Sequence, residues 1–166
     1  MDIYGLPGHL IRRMHQIHNS VFQTRVREAG YDLTSVQFAA LAAIDAYPGR
    51  DQATIAGLIA HDKATIGGVL DRLQQKDLIQ RGIREQDKRA RVLTLSEAGH
   101  TALAKLQPVI QGIQTEILPG LTDEERRVFV MLSAKVAEAG NHLSRAPLDM
   151  GRVAINKIQG DASERR

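Results

Sequence analysis

The stretch 84-REQDKRARVLTLSEAG-99 decides how the rest of this chain is read. Its second half, Val92-Leu93-Thr94-Leu95, reads as a strand, and Ser96 follows with a hydroxyl suited to capping a helix. Its first half sets Lys88, Arg89 and Arg91 around a turn just ahead of that strand. Basic residues exposed on a hairpin tip add little to a core. They are useful where the tip meets something negative.

Upstream of the turn, Leu78-Ile79-Gln80-Arg81 supplies the partner strand. Before it, Ile66, Leu70 and Leu73 form the buried stripe of a helix running from Lys63 to about Gln75, with Asp62 as its N-cap. A shorter helix spans 52–59, and the tight link His61-Asp62 joins the two as in a helix-turn-helix. Thr34-Ser-Val-Gln37 is a capping-box pattern that opens a helix carrying Phe38, Leu41 and Ile44; Tyr47-Pro48-Gly49 stops it. Leu10, Met14, Ile17 and Val21 recur at helical spacing, so residues 7 to 28 form an amphipathic helix closed by Gly30.

Downstream lie two long helices. Leu103, Leu106, Ile110, Ile113 and Ile117 make one apolar stripe, and Phe129, Leu132, Val136, Ala139 and Leu143 make another. Ser96 caps the first; Thr122-Asp-Glu-Glu125 is a capping box for the second; Pro108 is expected to kink the first. Stripes of this length, in a chain with helices at both ends of a compact lobe, are expected to be buried across a two-fold axis. From Arg145 the pattern fades, and residues 145–166 read as a C-terminal tail with a frayed end at 160–166.

The 166 residues suffice for one domain or two small lobes, and 43% hydrophobic with 25% charged residues is an ordinary globular composition. Cysteine is absent, which removes disulfides, thiolate metal sites and thiol redox sensing. No apolar run approaches the roughly 20 residues of a membrane span, and the first residues lack a signal-peptide pattern; a cytoplasmic protein with no membrane partner is expected. The net charge of +3 is unevenly placed. Between Lys63 and Arg91 stand eight basic residues against four acidic, an excess of +4 that leaves −1 for the remainder. A solvated charged face explains that excess blandly; a polyanion footprint explains why it sits beside a helix-turn-helix.

Helix, helix, tight turn, helix and basic hairpin together read as a winged helix-turn-helix. The fold class expected is mainly α with a small β-hairpin wing: a winged helix-turn-helix lobe plus a helical dimerisation region. In such a lobe the second helix of the motif enters the major groove, where base edges are distinguishable. The wing reaches the adjacent minor groove, whose negative potential attracts an arginine. Asp87, two residues before Arg89, is placed to orient it.

These residues resemble the MarR-type transcription factors over about residues 8–143. The most specific element is Asp87-Lys-Arg89-Ala-Arg-Val-Leu-Thr-Leu95 followed by Ser-Glu-Ala-Gly99, which matches that family's D-x-R wing and the start of its dimerisation helix. Leu70-Asp71-Arg72-Leu73 with Leu78-Ile79, and Leu33-Thr34 with Gln37, add to the match. The resemblance implies a homodimer on a pseudo-palindromic double-stranded DNA operator, most often as a repressor. It divides the chain into a dimerisation region (1–32 and 96–144), a winged lobe (33–95) and the tail. It places Lys63, Ala64, Thr65, Gly68 and Arg72 of the recognition helix, with Lys88, Arg89 and Arg91 of the wing, at DNA, and gives Asp87 the orienting role. Gly67-Gly68 departs from the commoner polar-then-basic pair of the family, at a cost of roughly 1 kcal/mol each in helix propensity. Readout by long side chains is reduced there, which shifts recognition toward the wing and DNA shape.

Family members commonly respond to small aromatic acids. The run Gly8-His-Leu-Ile-Arg-Arg-Met-His15-Gln-Ile-His18 resembles a subset linked to aromatic or N-heteroaromatic catabolism. The expected effector is therefore a small aromatic or N-heteroaromatic carboxylate, met by Arg13, His15, His18, Gln37 and His61, with no other cofactor and no bound metal. A histidine or arginine beside an apolar wall pairs the carboxylate while the wall accepts the ring. Three other readings stay open. His15 and His18 also read as interface histidines satisfied by backbone groups. The same pair could chelate a metal, although His9, His61, His100 and His142 are scattered without ligand spacing. A winged-helix dimer could serve as a protein adaptor, but that predicts a neutral or acidic wing. No phosphate loop, G-x-S-x-G or H-E-x-x-H occurs, so enzymatic activity is not expected.

Overall fold

A computed structural model describes residues 2–84 and 87–150, the side chains of 84 and 87–90 excepted. Six helices and one antiparallel hairpin follow in the order α1 (Pro7–Glu28), α2 (Ser35–Ala46), α3 (Gln52–Leu58), α4 (Ile66–Gln75), β1 (Ile79–Arg84), β2 (Asp87–Leu95), α5 (Glu97–Glu116) and α6 (Asp123–Ala139). This is a winged helix: α2, α3 and α4 pack into a lobe, and the hairpin β1–β2 projects from it.

Local chemistry sets most boundaries. Thr34 and Gln37 form a capping box at α2, Thr122 and Glu125 another at α6, and the Ser96 hydroxyl accepts from Gly99 N–H at 3.0 Å to start α5. Three helices end in the same way. The residue after the C-cap turns left-handed at Gly30 (φ 85°), Ala60 (φ 51°) and Asp77 (φ 55°), and the next N–H reaches back to a carbonyl of the last turn. Pro108 stands on the exposed face of α5, and the helix continues through it.

Two boundaries differ from the sequence reading. The recognition helix begins at Ile66 with Thr65 as N-cap, so it does not begin at Lys63. Asp62 Oδ1 accepts from Ala64 N–H at 2.7 Å, and the Asp62 carbonyl accepts from Thr65 and Ile66. That turn takes up residues 63–65, and Gly67-Gly68 in the first helical turn do little to extend the helix backwards. The hairpin is also longer than read. Ile79 pairs with Leu95 and Ile83 with Arg91, and a register shift between Ile83 and Arg84 brings Arg84 opposite Asp87. Lys88, Arg89 and Arg91 thus belong to β2 itself.

The core joins the lobe to the long helices. Ile44, Ile55, Ile66, Leu70 and Leu73 from α2 to α4 meet Ile79 and Leu93 of the wing, Leu106 and Ile113 of α5, and Phe22 and Val26 of α1. Each fully buried side chain of this size contributes about 1.5–3 kcal/mol. A rudimentary third strand backs the wing: Leu93 N–H donates to Arg50 O and Gly49 N–H donates to Leu93 O, each at 2.9 Å. Helix α6, by contrast, buries no residue.

The sharpest packing constraint is at the foot of the wing. A Cβ on Gly99 would stand 2.0 Å from the Leu78 carbonyl oxygen, whereas one on Gly68 would meet nothing within 4 Å. Gly99→Ala is therefore expected to destabilise by about 3 kcal/mol or more. Gly68→Ala should stabilise by about 1 kcal/mol through helix propensity. Urea denaturation followed by circular dichroism checks both signs; a neutral Gly99→Ala would contradict the packing at this junction.

Candidate functional site

The turn into α4 and the wing make one surface. Lys63 and Ala64 lie on the turn, Thr65 caps the helix, and Thr65, Gly68 and Arg72 follow one another along its exposed face. Gly67 faces α3 instead, where an added Cβ would approach Gln52 Nε2 to 3.5 Å. Arg81 of β1 donates to Asp71 Oδ1 of α4 at 2.6 Å, which ties wing to recognition helix. Gln52, Gly67, Asp71, Arg81, Arg91 and Leu93 border a recess of about 180 Å³ between them. Arg91 is exposed there. The backbone of 87–89 is in β2; the side chains of Asp87, Lys88 and Arg89 lie outside the described residues.

A second site lies among α1, α5 and α6. An open cleft of about 690 Å³ has Ile11, Met14, Ile117, Phe129, Leu132 and Val136 among its walls, and His15 and His18 among its few polar groups. His15 Nε2 is 2.9 Å from Asn19 Nδ2 one turn on, so Asn19 orients that ring. The His18 ring tilts against Phe22 with centroids 5.9 Å apart. Burial, and next the charge of His15, hold His18 below the ordinary histidine range. His18 is thus a neutral hydrogen-bonding group near pH 7.

The fold brings His15 and His18 together and leaves the other expected effector contacts elsewhere. Arg13 is exposed on α1 and does not line the cleft. Gln37 is 4% exposed, and its Oε1 accepts from Thr34 N–H at 3.0 Å in the capping box. His61 sits at the helix-turn-helix, with Nε2 3.2 Å from Thr65 Oγ1. The sequence reading missed the apolar wall contributed by α6 and by Ile117 and Leu118 just past the end of α5, although the stripe Phe129, Leu132 and Val136 carried its signal. Outside the cleft, Val128, Val130 and Met131 leave a further apolar surface on α6, 41%, 58% and 60% exposed. Among the described residues, no group of three or more His, Asp or Glu is placed to hold a metal ion, and no helix is long and apolar enough to cross a membrane.

A winged helix whose long flanking helices enclose an apolar cleft defines a class of DNA-binding regulator. Comparison with known proteins makes it specific. Residues 33–90 match the MarR family. The chain is 30% identical over 138 residues to the HTH-type transcriptional repressor NicR of Pseudomonas putida, covering 83% of this chain and 86% of that one. Among solved structures, the PcaV transcriptional regulator of Streptomyces coelicolor, in complex with its natural ligand, superposes with a TM-score of 0.75 at 34% identity, covering 84% of this chain and 97% of that one. BpsR of Bordetella bronchiseptica, whose DNA binding is regulated by 6-hydroxynicotinic acid, gives 0.75 at 28% identity, covering 82% and 96%. This chain belongs to the MarR family of transcriptional regulators.

The environment of His18 has a measurable sign. Its pKa in the folded protein lies below the ordinary 6.5, so its neutral form is accommodated at no cost above that value. As pH falls from about 6.5 through the lower folded value, the unfolded chain binds the proton first and stability is lost. His18→Asn should lose less stability than the wild type over that window in urea titrations at stepped pH. Parallel curves for the two proteins would refute the burial argument.

Proposed function

We propose that this protein is a homodimeric repressor that binds a pseudo-palindromic operator in double-stranded DNA and is released by a small aromatic or N-heteroaromatic carboxylate. The observation that carries the effector half is the cleft, in which two histidines one turn apart line a largely apolar wall. An aromatic ring suits the wall, and its carboxylate suits the histidines. BpsR supports the ligand class, since 6-hydroxynicotinic acid regulates its DNA binding, and PcaV, solved in complex with its natural ligand, supports a ligand-responsive regulator. NicR, a repressor, supports the direction of control.

In this reading residues 1–32 and 96–144 form the dimerisation region and 33–95 the reading lobe. The exposed Val128, Val130 and Met131 of α6 are then covered by a second copy. Lys63, Ala64, Thr65, Gly68 and Arg72 face the major groove; Lys88, Arg89 and Arg91 approach the minor groove, with Asp87 orienting Arg89. His15 and His18 hold the effector, and no catalytic step is involved. A DNA partner puts this work in the cytoplasm. Effector binding should also take up a proton, because an anion beside His18 raises a pKa that burial has lowered.

The test is a gel-shift titration of the protein on its own upstream region, with and without a panel of hydroxybenzoates and hydroxylated pyridine carboxylates. Release by one compound, stronger at pH 6 than at pH 8 and lost in His15→Ala or His18→Ala, is expected. Tight binding that no compound relieves would discard the effector half. On the same DNA, Arg89→Ala should weaken binding by about 1–3 kcal/mol. Unchanged affinity in that variant would remove the wing from the interface and restore the adaptor reading.

A further inference from the structure

The chain does not stop at α6. After a short 3₁₀ turn, Asn141–Leu143, it closes a small loop: the Asn141 side chain donates to Leu148 O at 3.0 Å and accepts from Leu148 N–H at 2.7 Å. The loop then docks on the reading lobe. Asp149 N–H donates to the Gly57 carbonyl of α3 at 2.9 Å, and a Cβ on Gly57 would come within 3.1 Å of Asp149 Cβ. This strap carries Arg145 to the helix-turn-helix, where its guanidinium Nη2 stands 2.9 Å from Asp62 Oδ2. Arg145 is nevertheless 86% exposed along its side chain, while Asp62 is 24% exposed.

Asp62 presents an electrostatic problem. Its other oxygen is committed to the turn that starts the recognition helix, through Ala64 N–H, so the turn depends on a carboxylate. That carboxylate immediately precedes Lys63, on the part of the lobe that approaches DNA, and an uncompensated negative charge there would repel phosphates. Arg145 neutralises it with one nitrogen. A guanidinium has five N–H donors in a planar fork, so most of its donors remain directed outward.

We propose that Arg145, delivered by the strap at 141–150, is a DNA-contacting residue that shields Asp62 and bonds a backbone phosphate beside the recognition helix. The inference rests on the DNA-binding reading above. It extends the interface to a segment outside the winged lobe, and it makes the contact sequence-independent, because phosphates position a protein without specifying bases.

Fluorescence anisotropy with the full chain and a labelled duplex of its own upstream region, repeated across a salt series, tests this. Arg145→Ala should weaken binding by about threefold to tenfold and reduce the slope of log affinity against log salt by about 1, with an unchanged thermal melt. Arg145→Lys should restore the slope. Asp62→Asn keeps a side-chain oxygen for the turn and removes the repelling charge, so its affinity should hold or rise. Full affinity in Arg145→Ala overturns the proposal, and so does weaker binding with an unchanged slope, which would make the residue merely a strut. A fall in Asp62→Asn as deep as in Arg145→Ala overturns it too, since the pair would then matter only as a structural link. If the wild type fails to bind DNA, both this proposal and the repressor reading fall; if the wild type binds and Arg145→Ala matches it, only this one does.

Discussion

Everything in this molecule depends on how closely the backbone at Gly99 approaches the backbone at Leu78. The Leu78 carbonyl accepts from Ser96 N–H at 3.1 Å, the Ser96 hydroxyl donates to the Asp77 carbonyl, and Gly99 lies where no side chain could fit. Within these few residues α4 ends, β1 begins, β2 ends and α5 starts. Asp77 pays for the sharp turn with a left-handed backbone that L-residues disfavour. The recognition helix, the wing and the long helix therefore share one joint with no compressible layer between them. A displacement of α5 has no side-chain cushion in which to dissipate before it reaches α4.

The other end of α5 is built oppositely. There α1, α5 and α6 leave a cleft, and α6 has no buried residue of its own. Beside the core that Phe22 and Val26 share with Leu106 and Ile113, an ion pair links α1 to α5, with Arg25 bonded to Glu116 at 2.9 Å and to its neighbour Glu28. These groups are substantially exposed, so they orient the helices more than they stabilise them. A chain rigid at the DNA-reading end and open at the other is suited to converting a binding event in the cleft into a shift of the reading head.

Much of this was legible in the residues. The capping boxes at Thr34 and Thr122, the cap at Ser96 and the buried stripe Ile66, Leu70 and Leu73 depend on neighbours within four positions; the three caps start their helices as read and the stripe is buried as read. The start of the recognition helix was not, because Asp62 can cap a helix or a preceding turn, and Gly67-Gly68 tip the balance to the turn. Gln37 illustrates the same ambiguity at a site. An amide three residues after a threonine serves the capping box first, and its burial there leaves it outside the cleft.

The sequence by itself determined the winged helix and the basic character of the hairpin, since periodicity, caps and charge are written locally. Only the tertiary structure decided which distant groups meet. His15 and His18 gain their apolar wall from residues about a hundred positions away, on α6 and just past the end of α5. Arg145, where the apolar pattern fades, reaches Asp62 because the strap folds back on α3 through a backbone bond to Gly57. A main-chain hydrogen bond and the space beside a glycine leave no periodic trace in a chain. Such contacts emerge only when the helices are packed.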